Sequence, residues 1–435
     1  MQFLKGKSLM GKPVAAAIAF GGVLLLGAST AVQPAEAVWT GTYGISASGW
    51  TATDSPTVAV DRQGDSLLAW TACEAAASAC YHQVQVRLKS ATGGLGPIRT
   101  LSPLGPTANW PEVATDDDGD SAVVWEQDGR VVGRRVSASG ALVGPLRTLS
   151  NTAGTNPNVV VEPAGRALVV WNDIRSGSFV TTARFLYKDG TVSNAFTLGS
   201  GAADQPAVGI DRNGLAVVAW TESNTTVVAR RVKPGYIGPR TVFLGASSGV
   251  GYGRVNVGVD RDGDAVVSLR RAHSSEPARL WARRWPRTGA LGPVMLLAPT
   301  TDNLTFYHSL ASDLEGDSMV IWSRRSSSTQ TDVFGRRITR TGALGAITRL
   351  GVGDRPRVAL DDDGNGLAVW HSPGPPYDAT RVFARPISTA GAFGVTATLS
   401  TDGRVPRVDA SPGGNFAVVW QQKSYPYTTR ARFGH

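Results

Sequence analysis

The chain has 435 residues, of which 42% are apolar and 18% charged, with 51 glycines, 25 prolines, two cysteines and a formal net charge of +9. So few charges and so much glycine exclude an intrinsically disordered chain and a helix-dominated or coiled-coil protein. The length is sufficient for a large core.

At the N-terminus, Lys5, Lys7 and Lys12 flank an apolar stretch over 14–29, and Ala35-Glu36-Ala37 is a small-x-small cleavage site. This is the pattern of a secretory signal peptide over 1–37, followed by one domain over 38–435. The expected setting is therefore secreted, either extracellular or cell-wall associated. An uncleaved anchor is the rival reading, but its apolar run is short for a spanning helix. Without 1–37 the formal net charge falls to +7, and only Lys89, Lys188, Lys233 and Lys423 remain as lysines. The arginines that carry the charge are spread along the chain instead of forming a stripe or tail, which argues against nucleic acid as a partner. In an oxidising compartment Cys73 and Cys80 are expected to form one small disulfide.

The remaining chain is an internal repeat. Gly64, Gly119, Gly165, Gly214, Gly263, Gly316, Gly364 and Gly414 each stand six residues before Trp70, Trp125, Trp171, Trp220, Leu269, Trp322, Trp370 and Trp420. Three residues before the same glycines come Asp61, Asp116, Glu162, Asp211, Asp260, Asp313, Asp361 and Ser411. Each unit reads as four short strands: an apolar strand, an Asp-x-x-Gly hairpin turn, a nearly all-apolar strand ending in Trp, and two more strands. Such units repeated head to tail predict an all-β fold, an eight-bladed β-propeller of four-stranded antiparallel blades. The eighth unit lacks a fourth strand, while Thr42 to Ser46 is a spare extended segment, so the ring is expected to be closed by the N-terminal strand. Tandem β-sandwiches are the rival architecture.

Arg87, Arg134, Arg184, Arg230, Arg283, Arg336, Arg385 and Arg432 recur at one place in the third strand. A residue repeated in every blade reads as scaffold, with its guanidinium expected against an Asp or a Trp ring. The triple-Asp turns at 116–118 and 361–363 resemble part of a calcium loop but lack the bidentate Glu of a helix-loop-helix site, so they read as hairpin turns. Calcium is the one cation they raise, and no other metal or cofactor is expected.

Function is sought where the repeat breaks. Eight residues before the marker glycines stand prolines, except for Val255 in unit five and His308 in unit six. Unit five also has Leu269 in place of Trp, followed by Arg270, Arg271 and His273, and unit six carries Tyr307 beside His308. One residue further into the first strand, Glu112 faces Arg357 and Arg407 in the pattern. With Tyr252 and the aromatic residues Trp50, Trp110, Tyr81, Tyr377, Tyr425 and Tyr427, these predict one basic, aromatic rim on a monomer. Such a rim suits a carbohydrate or cell-envelope polymer, above all an anionic one.

Two other functions compete. A polysaccharide lyase would use a Tyr or His base with Arg neutralising the substrate acid; a glycoside hydrolase would need a second carboxylate beside Glu112, with Asp54, Asp204, Asp302 and Asp354 as candidates. A structural or protein-binding envelope module is the third reading. The repeat, with Asp61-Arg62-Gln63-Gly64 to Trp70 and Leu95-Gly96-Pro97 returning as Asp260-Arg261-Asp262-Gly263 and Leu291-Gly292-Pro293, resembles secreted bacterial β-propeller repeat proteins. More distantly it resembles the sialidase superfamily. The Ser-x-Asp-x-Gly-x-x-Trp box, arginine triad and Tyr-Glu pair of sialidases have no counterparts here, so the resemblance implies the blade and not their activity.

Overall fold

The structure, a computed structural model, describes residues 37–47, 50–52, 56–74, 80–201, 204–246, 249–273, 276–298, 303–373, 380–425 and 427–435. Residues 1–36 of the expected signal peptide, and Asp54, Asp302 and Tyr377, lie outside them. Each repeat folds as one antiparallel sheet; in blade 2 the strands are Ala108–Thr115, Ser121–Gln127, Arg130–Val136 and Leu142–Thr148. Eight such sheets form a ring, an eight-bladed β-propeller. Among the described residues no helix is long and apolar enough to cross a membrane.

The ring closes as the repeat count requires. The outer strand of blade 8 is Tyr43–Gly44, paired with Thr429–Gly434 through Tyr43↔Ala431 and Gly44↔Arg430. The Ile45 amide extends the pairing by donating to the Thr429 carbonyl at 2.9 Å. The chain then crosses to the inner strand of blade 1, Thr57–Val60, so the first and last repeats are joined by hydrogen bonds and by a shared core containing Ile45, Trp70 and Ala431.

The marker Trp residues explain the all-apolar second strands. Each is fully buried and packs on the preceding blade: Trp125 against Leu67 and Val86, Trp220 against Leu168 and Phe185, Trp420 against Leu367 and Val369. Blade faces are covered on both sides, so alternation is not needed. At the blade 4–5 boundary Leu269 occupies the Trp position, and Tyr252, Trp281 and Trp285 supply the missing bulk.

The Asp-x-x-Gly turns are hairpins. Asp260 Oδ1 accepts the amides of Asp262 and Asp264 at 3.0 and 2.8 Å, and Gly263 sits at φ 86°. Its other oxygen lies against Gly316 of the next blade, where an added Cβ would come within 2.6 Å of Asp260 Oδ2. Among the described residues no group of three or more His, Cys, Asp or Glu is placed to hold a metal ion. Cys73 and Cys80 are disulfide-bonded.

The repeated third-strand arginines differ from expectation in their partners. Seven of the eight donate to backbone carbonyls and Arg432 donates to the Thr42 hydroxyl, in place of the expected carboxylates or Trp rings. Arg283 donates from Nε to Gly292 O at 2.7 Å within its own blade and from Nη1 to Phe243 O at 2.7 Å on the outer strand of the preceding blade. A guanidinium can staple two blades in this way because its donors diverge at fixed angles. The second arginine of the Arg-Arg pairs has other partners: Arg231 Nη1 and Arg284 Nη1 donate to Gly263 O and Gly316 O of the next blade at 2.6 and 3.3 Å, whereas Arg135 donates to Asp120 O and Arg337 pairs with Asp317, each within its own blade.

Candidate functional site

The inner strands surround a central channel. Side chains at alternate positions of these strands face it, so the first residues of each strand form successive rings. Six inner strands carry a register shift near their start, as between Asn109 and Glu112 or between Asp354 and Arg357. At four of these bulges a non-glycine residue takes left-handed backbone: Trp110, Asn156, Arg355 and Val405, with φ of 49–55°. The shared conformation turns this ring of residues into the channel mouth, a cavity of about 190 Å³.

The mouth is lined by Arg254, Arg355, Arg357 and Arg407, with Glu112 as its one carboxylate among the described residues, beside Trp110, Tyr307, Asn156 and Gln205. Arg407 Nη2 meets Glu112 Oε1 at 3.2 Å. Arg254 Nη2 donates to Gln205 Oε1 at 3.1 Å, Arg357 Nη1 donates to Pro356 O at 3.0 Å, and the Arg355 guanidinium lies 4.8 Å from the Tyr307 ring centre. Burial and then the neighbouring guanidiniums of Arg407, Arg254 and Arg355 push Arg357 well below its usual pKa, against the pull of Glu112. Arg254 is lowered by burial and by Arg407, opposed by Glu112 and Asp204. Cations brought together at such cost create a field that a ligand anion relieves.

Glu112, Arg357 and Arg407 also line a second cavity of about 320 Å³, further along the channel. Val58, Val113, Val160 and Ile210 form the apolar part of its wall, and Thr57, Thr115 and Asp409 join those three charged residues in the polar part. Burial raises the Asp409 carboxyl to about 6, although its Oδ2 accepts the Val60 amide at 2.8 Å. The corresponding residues in the other blades are Ala59, Ala114, Val160, Gly209, Gly258, Ala311 and Ala359.

Of the residues singled out from sequence, Trp110, Glu112, Tyr307, Arg357 and Arg407 line the mouth, and Tyr252, Arg270, Arg271, His273 and His308 do not. His308 has the opposite strand parity from Tyr307. Its ring is 2% exposed inside the protein, and burial, with the nearby Arg254, Arg357 and Arg270 charges, lowers it to about 3. Tyr252 is buried in the blade 4–5 core and its hydroxyl donates to Gly245 O at 3.2 Å. Arg271 packs 5.9 Å from the Trp281 ring centre, Arg270 is half-buried, and His273 lies at the strand end opposite Glu276. Trp110, Tyr81 and Tyr425 are exposed by 51, 50 and 71%. Arg254 and Arg355 were not singled out by sequence; the parity that selects Arg357 and Arg407, carried two residues back, finds both.

No family profile and no curated protein matches the chain. Solved structures do match. The Dos1 propeller has a TM-score of 0.56 at 8% identity, over 92% of this chain and 95% of that one. The WD40 domain of SCAP from fission yeast has a TM-score of 0.53 at 11% identity, over 91% and 98%. What they share is the propeller. A prolyl endopeptidase structure matches with a TM-score of 0.50 at 14% identity, over 86% of this chain and 55% of that one. The chain thus spans about half of the endopeptidase. At these identities the likeness concerns the fold alone.

Proposed function

We propose that this chain is an exported, monomeric binding protein whose channel mouth takes an acidic group of an extracellular or cell-wall polysaccharide. The observation that carries the reading is the convergence of Arg254, Arg355, Arg357 and Arg407 on one mouth with a single carboxylate among the described lining residues, beside the half-exposed ring of Trp110. Guanidiniums offer paired donors to carboxylate, sulfate or phosphate oxygens. Trp110 and Tyr307 offer ring faces to the sugar that carries the anion. Secretion, supported by the sequence at 1–37, puts such polymers within reach.

A lyase is the second reading, favoured by Tyr307 standing among the guanidiniums, 4.8 Å from Arg355. A carboxylate neutralised there would have its adjacent proton within the sphere of a phenolic base. Hydrolysis has less support, because Glu112 is the only carboxylate among the described lining residues and two are needed. A glycan array probed with the mature chain and with Arg254→Ala/Arg355→Ala tests the binding reading. Acidic glycans are expected to bind the first and not the second; equal binding by both overturns it. Ultraviolet absorbance from new unsaturated ends in a bound glycan would replace the lectin with the lyase.

A further inference from the structure

The staple that joins the blades is missing at one boundary. The outer-strand carbonyls of Ile45, Leu101, Leu149, Leu198, Phe243, Leu297 and Leu350 each accept a hydrogen bond from the third-strand arginine of the following blade. Leu399 of blade 7 is the eighth equivalent, and Arg432 of blade 8 its expected donor. Arg432 instead gives its Nε to Thr42 Oγ1 of the closing segment at 2.8 Å. Among the described residues it makes no bond to blade 7.

A cleft of about 410 Å³ opens where the staple would be, lined by the outer strand of blade 7 on one side and by Thr42, Gln422, Arg430 and Arg432 on the other. Elsewhere donor and acceptor meet directly. Here the Arg432 guanidinium and the Thr398–Leu399 backbone face a shared gap, with Ser400 and Asp402 beside them. Arg430 is tied by its Nε to Gln422 Oε1 at 2.7 Å. A group that bridges the cleft must accept from guanidinium and donate to carbonyl or carboxylate at the same time. Vicinal hydroxyls do both.

We propose that the cleft between blades 7 and 8 is a second binding site, for a single neutral saccharide unit, independent of the channel mouth. It requires neither the acidic ligand nor the mouth arginines. The test is saturation-transfer-difference NMR of the mature chain with methyl α-D-glucopyranoside, methyl α-D-mannopyranoside and methyl β-D-galactopyranoside. At least one glycoside should give a signal. Arg432→Ala and the cleft-filling Ser400→Trp should each raise its Kd by about tenfold or more, the loss of one charge-assisted hydrogen bond being on the order of 1.5–3 kcal/mol. Arg355→Ala, in the mouth, should leave it unchanged. No signal from any of the three, or a signal that survives both cleft variants, overturns the proposal. Loss of signal only in Arg355→Ala assigns the saccharide to the mouth instead.

Discussion

Arg407 of blade 8 and Glu112 of blade 2, 295 positions apart in the sequence, meet at 3.2 Å inside the channel. Their pairing is possible only because the ring closes. It holds the one carboxylate among the described lining residues of the mouth against one of four guanidiniums. Glu112→Gln removes the counter-charge but keeps the shape, and should cost about 1–3 kcal/mol of stability. The same variant should gain more thermal stability from added sulfate than the parent does, because a bound anion replaces the lost carboxylate. Differential scanning fluorimetry across a sulfate series reads both effects.

The turn glycines carry two separate constraints, and two alanine variants distinguish them. Gly129 sits at φ 74° with nothing within 4 Å of an added Cβ. Gly129→Ala should cost only the left-handed backbone penalty, about 1–2 kcal/mol. Gly316 sits at φ 91°, and its added Cβ would meet Asp260 Oδ2 of the preceding blade at 2.6 Å. Gly316→Ala should therefore lower the urea midpoint more than Gly129→Ala does; equal shifts would mean that the turns do not press on one another.

Asp409 gives the fold a pH dependence of defined sign. Its folded pKa is raised to about 6 by burial, above the ordinary carboxyl value near 3.9. The neutral form is favoured in the folded state, so this group's contribution is fully present below about pH 4 and is lost as pH rises through about 6. Asp409→Asn should raise the melting temperature at pH 8 and leave it nearly unchanged at pH 4. A variant that shifts stability equally at both pH values would contradict the raised pKa of this carboxyl.

At the blade 4–5 boundary, Leu269 is surrounded by Tyr252, Trp281 and Trp285. Leu269→Trp restores the repeat's own residue, yet should destabilise by about 1–3 kcal/mol because that volume is already occupied. Trp370→Ala, at a boundary that follows the rule, should cost about 3–5 kcal/mol. Chemical denaturation checks both, and a stabilising Leu269→Trp would contradict the packing account.

The blades were legible because one turn and one large ring recur in register. Asp260, Gly263 and their equivalents have to satisfy hairpin geometry in every copy, and Trp125 or Trp420 has to fill the same gap. Closure by Tyr43–Gly44 could be foreseen from a missing strand at one end and a spare one at the other. The mouth was only half legible. Glu112, Arg357 and Arg407 follow from strand parity, whereas His308 stands one residue off that parity and is directed into the protein. Tyr252 is taken up in the core that compensates for the absent Trp at 269, and Arg271 lies against the Trp281 ring of the same boundary. The partners of the repeated arginines were not legible at all, since backbone carbonyls leave no mark on side-chain sequence.

The binding reading is tested most directly by calorimetric titration of the mature chain with an oligogalacturonate and with the same oligomer after its carboxylates are reduced to alcohols. The account predicts that the acidic form binds at least about tenfold more tightly, and that Arg254→Ala/Arg355→Ala abolishes the difference. Equal affinity for the two oligomers, or a preference for the acid that survives loss of both arginines, would contradict it.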